Sequence, residues 1–70
     1  MERIFVSSSN LYTVGYNDGI SILEIQFRNG SIYQYFNVPL SVYQALMNAG
    51  SHGQYFSYFI KDRYRYRRIR

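Results

Sequence analysis

Along the first half of the chain, apolar and polar residues alternate with period two, the spacing that lines one face of a β-strand. From Leu11 to Tyr16 the alternation places Tyr12, Val14 and Tyr16 together. A second segment does the same with Leu23, Ile25 and Phe27, and a third with Ile32 and Phe36. Asn17-Asp18-Gly19 separates the first pair of segments and Asn29-Gly30 the second, and these residue types tolerate the positive φ of tight hairpin turns. The pattern predicts a three-stranded antiparallel meander. With Asn29 and Gly30 as a two-residue loop, Phe27 falls opposite Ile32, Ile25 opposite Gln34 and Leu23 opposite Phe36, a nearly apolar face with Gln34 as its polar exception. The reverse face then pairs Gln26 with Tyr33 and Glu24 with Tyr35, beside Arg28 at the turn end, and forms a small aromatic platform.

The second half changes period. Pro39 suits the first turn of a helix, where its missing N–H is not needed, and Leu40 to Ala49 runs without a breaker until Gly50. Ser51 followed by Gln54 resembles a capping box, and Phe56, Phe59, Ile60 and Arg63 share a helical face, which predicts a second helix from Ser51 to about Arg63. From Tyr64 to Arg70 residue types again alternate, a pattern compatible with an edge strand or an extended arm. The expected class is α+β: a three-stranded antiparallel sheet, then two short helices packed on its apolar face, then a basic C-terminal segment. There is no internal repeat or linker, so residues 1–70 form one domain.

Composition narrows what such a domain can be. With no cysteine and a single histidine, 70 residues cannot supply a disulfide or a structural zinc site within one subunit. Nine tyrosines and five phenylalanines take over the work of burial. The N-terminus lacks the pattern of a secretory signal, and no apolar run approaches the ~20 residues that cross a bilayer, so a cytoplasmic location without membrane contact is expected. The net charge of +4 is uneven. Residues 1–60 carry Arg3 and Arg28 against Glu2, Asp18 and Glu24, whereas in the last ten Lys61, Arg63, Arg65, Arg67, Arg68 and Arg70 oppose only Asp62.

The order of motifs resembles the KTSC domain, a short module named for its occurrence at the C-terminus of some lysyl-tRNA synthetases. The resemblance rests on Val6-Ser7-Ser8-Ser9-Asn10, Val14-Gly15-Tyr16, Leu23-Glu24-Ile25-Gln26-Phe27, and Tyr33-Gln34-Tyr35-Phe36 followed by Val38-Pro39. It continues through Ala49, Ser51, Gly53, Tyr55-Phe56 and Ile60 to Tyr64-Arg65-Tyr66-Arg67-Arg68-Ile69, and so covers almost the whole chain. The connection at Asn17 to Gly19 is shorter than is usual in that family, and Ser57 stands where many members have asparagine. From the synthetase context, the resemblance implies an RNA partner.

Chemistry in the side chains agrees with a binding role. Guanidinium groups contact phosphate and tyrosine rings stack on unpaired bases, so Arg63, Arg65, Arg67, Arg68 and Arg70 read as phosphate donors, with Arg28 as an addition. Tyr64, Tyr66, Tyr33 and Tyr35 read as stacking partners. The bland alternatives are a solvated tail for the first set and a packed sheet face for Tyr33 and Tyr35. Asp62 reads as the surface partner of a neighbouring arginine. Ser51 and Gly53 open a helix whose start is a candidate anion site, although capping alone explains the pattern, and His52 reads as an exposed loop residue. Ser7, Ser8 and Ser9 lack an evident base and orienting acid, and the four acids are not clustered for a metal, so no enzyme activity, metal or cofactor is expected. The expected function is RNA binding. Two rivals are a homo-oligomer, phage-encoded in some settings, that captures a small anionic nucleotide between subunits, and a protein-interaction module using the tyrosine face.

Overall fold

A single glycine sets the register of the sheet. In the computed structural model, which describes residues 1–70, Gly30 has φ +93°, a backbone conformation open mainly to glycine. The Phe27 amide donates to the Ser31 carbonyl at 2.9 Å and the Gly30 amide to the Phe27 carbonyl at 2.9 Å. Arg28 therefore belongs to the loop, and the turn has three residues with a glycine bulge rather than two. Leu23 pairs with Tyr35, Glu24 with Gln34, Ile25 with Tyr33 and Gln26 with Ile32. The expected register is corrected by one residue, and because side chains alternate with period two, every residue of the later strand changes face. Tyr33 and Tyr35 join Leu23, Ile25 and Phe27, and Gln34 leaves the apolar face.

The elements are β1 (Arg3–Phe5), β2 (Leu11–Asn17), β3 (Ile22–Phe27), β4 (Ile32–Tyr35), α1 (Leu40–Asn48), α2 (His52–Phe59) and β5 (Tyr66–Arg68). All strands lie in one antiparallel sheet ordered β1-β2-β3-β4-β5. The class is α+β as expected, but the sheet has five strands, not three. The two additional strands are the sheet's edges, each of three residues. The first of them carries too little apolar alternation to be visible in sequence, and backbone pairing to a longer neighbour holds both. The C-terminal segment is the edge strand of the two alternatives. Arg68 pairs with Tyr33, Arg67 with Gln34 and Tyr66 with Tyr35. The Phe36 amide donating to the Arg65 carbonyl at 2.9 Å and the Ile69 amide donating to the Ile32 carbonyl at 2.8 Å extend the pairing at both ends.

A register shift between Leu11 and Thr13 makes a second change in β2. It buries Leu11 completely and leaves Tyr12 exposed, although simple alternation grouped Tyr12 with Val14 and Tyr16. The core lies between the helices and this face of the sheet. Leu11, Val14, Leu23, Ile25 and Tyr35 come from the strands, Leu46, Phe56 and Ile60 from α1, α2 and the turn after them, and Val38 from the connection. Pro39 stands at the N-cap position, just before the first turn of α1 rather than within it, with an extended backbone at ψ 152° and no side-chain cap. Ser51 caps α2, its hydroxyl accepting from the Gln54 amide at 3.2 Å, so the expected cap is present. The helix is shorter than expected because Ile60 leaves helical geometry at φ −124°.

On the reverse face, no helix covers the sheet, and polar side chains satisfy one another. Glu24 is 6% exposed. It receives Arg3 Nη1 at 2.6 Å on one oxygen and Gln34 Nε2 at 2.9 Å on the other. Thr13 Oγ1 donates to Gln26 Oε1 at 3.1 Å. A buried carboxylate without these donors would carry a desolvation cost of several kcal/mol, on the order estimated for ions removed from water.

Candidate functional site

Where α2 stops short of β5, the helix side of the sheet opens into a groove of ≈490 Å³. The pleat explains its floor. The register that turns Tyr33 and Tyr35 toward the helices also brings up Tyr66, which pairs with Tyr35 across β4 and β5. Tyr66 lies 5.7 Å from Tyr33 and 5.8 Å from Tyr35, ring centre to ring centre. Phe56 from α2 meets Tyr35 at 5.4 Å and Phe27 at 5.4 Å, both edge to face. Phe27 in turn meets Tyr33 edge to face at 5.6 Å. These separations suit aromatic contact, so the floor is a packed cluster with one side open.

The polar rim comes from three places in the chain. Arg28, Asn29 and Ser31 belong to the hairpin turn, Ser9 and Asn10 to the loop before β2, and Ser57, Lys61 and Asp62 to α2 and the turn after it. Asn29 accepts from the Ser31 amide at 3.0 Å and from its hydroxyl at 2.7 Å, which stiffens the turn. Arg28 is anchored by Nε donating to the Ser8 carbonyl at 2.7 Å, with its guanidinium 5.5 Å from the Tyr12 ring centre. Burial raises the Tyr35 phenol well above its ordinary range, and the neighbouring Tyr33, Tyr66 and Asp62 add to the effect. Tyr35 is therefore a neutral O–H group at physiological pH. The hydroxyls of Tyr33, Tyr35 and Tyr66 donate to no protein atom, and none is sealed away from the groove.

The structure brings Arg28, Tyr33, Tyr35 and Tyr66 to this groove, with the Arg68 guanidinium 6.0 Å from the Tyr33 ring centre at its edge. It does not gather the C-terminal arginines into one clamp. Arg67 pairs with Gln34 and lies on the opposite face from Tyr66 and Arg68. Arg63 Nε donates to the Tyr58 carbonyl at 3.1 Å near the end of α2. Arg65 and Arg70 are exposed beyond the ends of β5, where their carbonyls extend the ladder, and Tyr64 is half-buried against the core. Ser51 is occupied as the cap of α2. Gly53 is tightly approached: a Cβ there would stand 2.7 Å from Asn10 Oδ1, so glycine lets the Ser8–Asn10 loop sit on the helix start. A shallower hollow lined partly by Ser51 and Gly53 adjoins the main groove.

Two smaller expectations are corrected. His52 is not in a loop; it begins α2, half-buried, with Nδ1 2.8 Å from the Leu46 carbonyl. Asp62 pairs with no arginine, and the ion pair of the molecule is Arg3 with Glu24 at 2.6 Å. Sequence reasoning missed Phe27, Phe56, Lys61, Asp62 and the Ser9-Asn10 loop as parts of a site. Phe27 and Phe56 carried only the signal of an apolar face, and the polar members lie far apart in the chain. No three His, Cys, Asp or Glu side chains are grouped to hold a metal ion, and no helix is long and apolar enough to cross a membrane.

Comparison with known proteins adds to this geometry. The sequence model of the KTSC domain matches residues 7–64. An uncharacterized protein of Stutzerimonas stutzeri is 43% identical over 70 residues, 99% of each chain. Lysine–tRNA ligases of Trichormus variabilis and a Nostoc species are 44% and 46% identical over 54 residues. That match spans 77% of this chain and 10% of each ligase. The crystal structure of a KTSC domain protein from Yersinia pestis superposes with a TM-score of 0.94 at 41% identity, over 99% of this chain and 97% of that one.

Proposed function

The chain belongs to the KTSC domain family, and from that premise we propose that it is a non-catalytic module that binds RNA in the cytoplasm by seating an unpaired base in the aromatic groove. One observation carries this reading: an open floor of Phe27, Tyr33, Tyr35, Phe56 and Tyr66 lies beside the cations Arg28 and Lys61, with Arg68 at its edge. A base stacked on such a ring gains about 1–3 kcal/mol, and guanidinium and ammonium groups at the rim are suited to the flanking phosphates. The groove favours single strands and loops because a base within an A-form helix cannot turn its face to a protein ring. Support also comes from the relatives, since part of two lysine–tRNA ligases, enzymes named for a tRNA substrate, is similar to this chain.

Fluorescence anisotropy of a labelled single-stranded RNA, titrated at about 50 and about 200 mM salt, tests the reading. If Arg28, Lys61 and Arg68 meet three phosphates, affinity falls by roughly an order of magnitude over that range, from a slope of about −0.7 per phosphate. Replacing the three with alanine flattens the slope. Binding that ignores salt, or no binding, contradicts the proposal.

Self-association is a second reading, favoured by the far edge of the sheet. Phe5 is 69% exposed and Ile4 52% on β1, whose outer backbone groups have no strand partner. A second copy pairing there leaves the groove free, because β1 and β5 are opposite edges. Light scattering on the wild type and on Phe5→Lys distinguishes a dimer that the substitution dissociates from a chain that is monomeric throughout.

A further inference from the structure

A groove built only to hold phosphate has no use for a carboxylate, yet Asp62 lines it together with the cations Arg28 and Lys61 and the aromatic floor. Asp62 is exposed and forms no ion pair, although Lys61 and several arginines are nearby in sequence. Its charge is close enough to Tyr35 to help keep that phenol protonated. The rim thus places an acceptor-only group beside a neutral hydroxyl that can donate.

A carboxylate has two oxygens side by side, and its best planar partner is an edge with two adjacent N–H donors. Among the four ordinary RNA bases only guanine offers this, through N1–H and the N2 amino group. Adenine and cytosine each present a donor next to an acceptor, and uracil presents one donor between two acceptors. Guanine also carries O6 beside N1, an acceptor suited to a phenol O–H. We propose that Asp62 makes the groove selective for guanine, accepting from N1–H and N2–H while the base rests on the tyrosine floor. The inference depends on the groove being a nucleotide site and specifies which base that site takes.

The test uses the intact protein and short oligouridines that carry one central guanine, inosine, adenine or cytosine. Inosine keeps N1–H and O6 but lacks the N2 amino group. The guanine oligomer is expected to bind tightest, with inosine weaker by roughly tenfold, the size of a lost hydrogen bond to a charged group. Asp62→Asn has a donor beside an acceptor and is expected to move the preference toward adenine or cytosine with no change in melting temperature. Equal affinity for guanine and inosine, or a guanine preference that survives in Asp62→Asn, overturns the role of Asp62. If those oligomers still bind in a salt-sensitive way, the groove's function stands without it. Failure of every oligomer to bind the wild type overturns both.

Discussion

Tyr16 and the trio Tyr33, Tyr35 and Tyr66 sit on the same face of the same sheet and differ in what their hydroxyls do. Tyr16 stacks on Tyr43 with ring centres 4.8 Å apart and planes 8° from parallel, and its hydroxyl donates to the Val38 carbonyl at 2.5 Å. That pair fastens β2 and α1 to the connection that follows β4, and the Tyr16 hydroxyl is satisfied within the protein. Tyr33, Tyr35 and Tyr66 are clustered more loosely, with ring centres 5.7 to 6.4 Å apart, and their hydroxyls have no protein partner and line an open groove. Burying a ring stabilises the fold in both places. Leaving a hydroxyl without a protein partner does not, and in a chain of 70 residues with a thin core that difference separates tyrosines that hold the structure from tyrosines free to take a ligand.

Substitutions can break or sharpen this contrast. The largest effect is expected at Phe56, 3% exposed and in contact with both Phe27 and Tyr35. Phe56→Ala should cost about 3–5 kcal/mol in urea unfolding, because it opens a cavity in the core while removing part of the groove floor. Tyr16→Phe should cost about 1 kcal/mol, the net worth of its hydrogen bond, and leave RNA affinity unchanged.

Alkaline pH provides a third comparison. The Tyr35 phenol is raised above its ordinary value of 10.0 in the folded protein, chiefly by burial. Its contribution to stability is therefore fully present below that value and is lost as pH rises past it, since the unfolded chain gives up the proton first. Melting temperature measured from neutral pH upward should fall in the wild type and fall less in Tyr35→Phe. The smallest stability effects belong to Tyr33→Phe and Tyr66→Phe, within about 0.5 kcal/mol of wild type, because no protein hydrogen bond is lost. If these hydroxyls meet the ligand, RNA affinity drops in both variants while their melting curves overlay.

The sequence showed the fold where local chemistry is decisive. The Ser51 cap with its Gln54 partner, the end of α1 before Gly50, and the alternation of Val14 with Tyr16 and of Leu23 with Ile25 all lead to elements that are present. The hairpin register was not legible, because Asn29-Gly30 suits a two-residue loop as well as a three-residue one, and only whether Arg28 joins the loop separates them. That single choice decides whether Tyr33 and Tyr35 face the helices or the solvent. The first edge strand escaped notice, and the last was legible only as one of two alternatives, because Arg3-Ile4-Phe5 and Tyr66-Arg67-Arg68 owe their conformation to the strands beside them. For the site, Arg28, Tyr33, Tyr35 and Tyr66 could be singled out by residue type. A continuous basic clamp could not survive the pleat, which sends Arg67 and Arg68 to opposite faces.

The most direct test of the account is an amide and aromatic NMR titration of the labelled protein with single-stranded RNA. The largest shift changes are expected at Phe27, Tyr33, Tyr35, Phe56, Asp62 and Tyr66, with Tyr16 and Tyr43 unmoved. Changes centred on Glu24, Gln26 and Gln34 across the sheet, or spectra that stay constant at saturating RNA, would contradict the claim that the aromatic groove is where this protein binds.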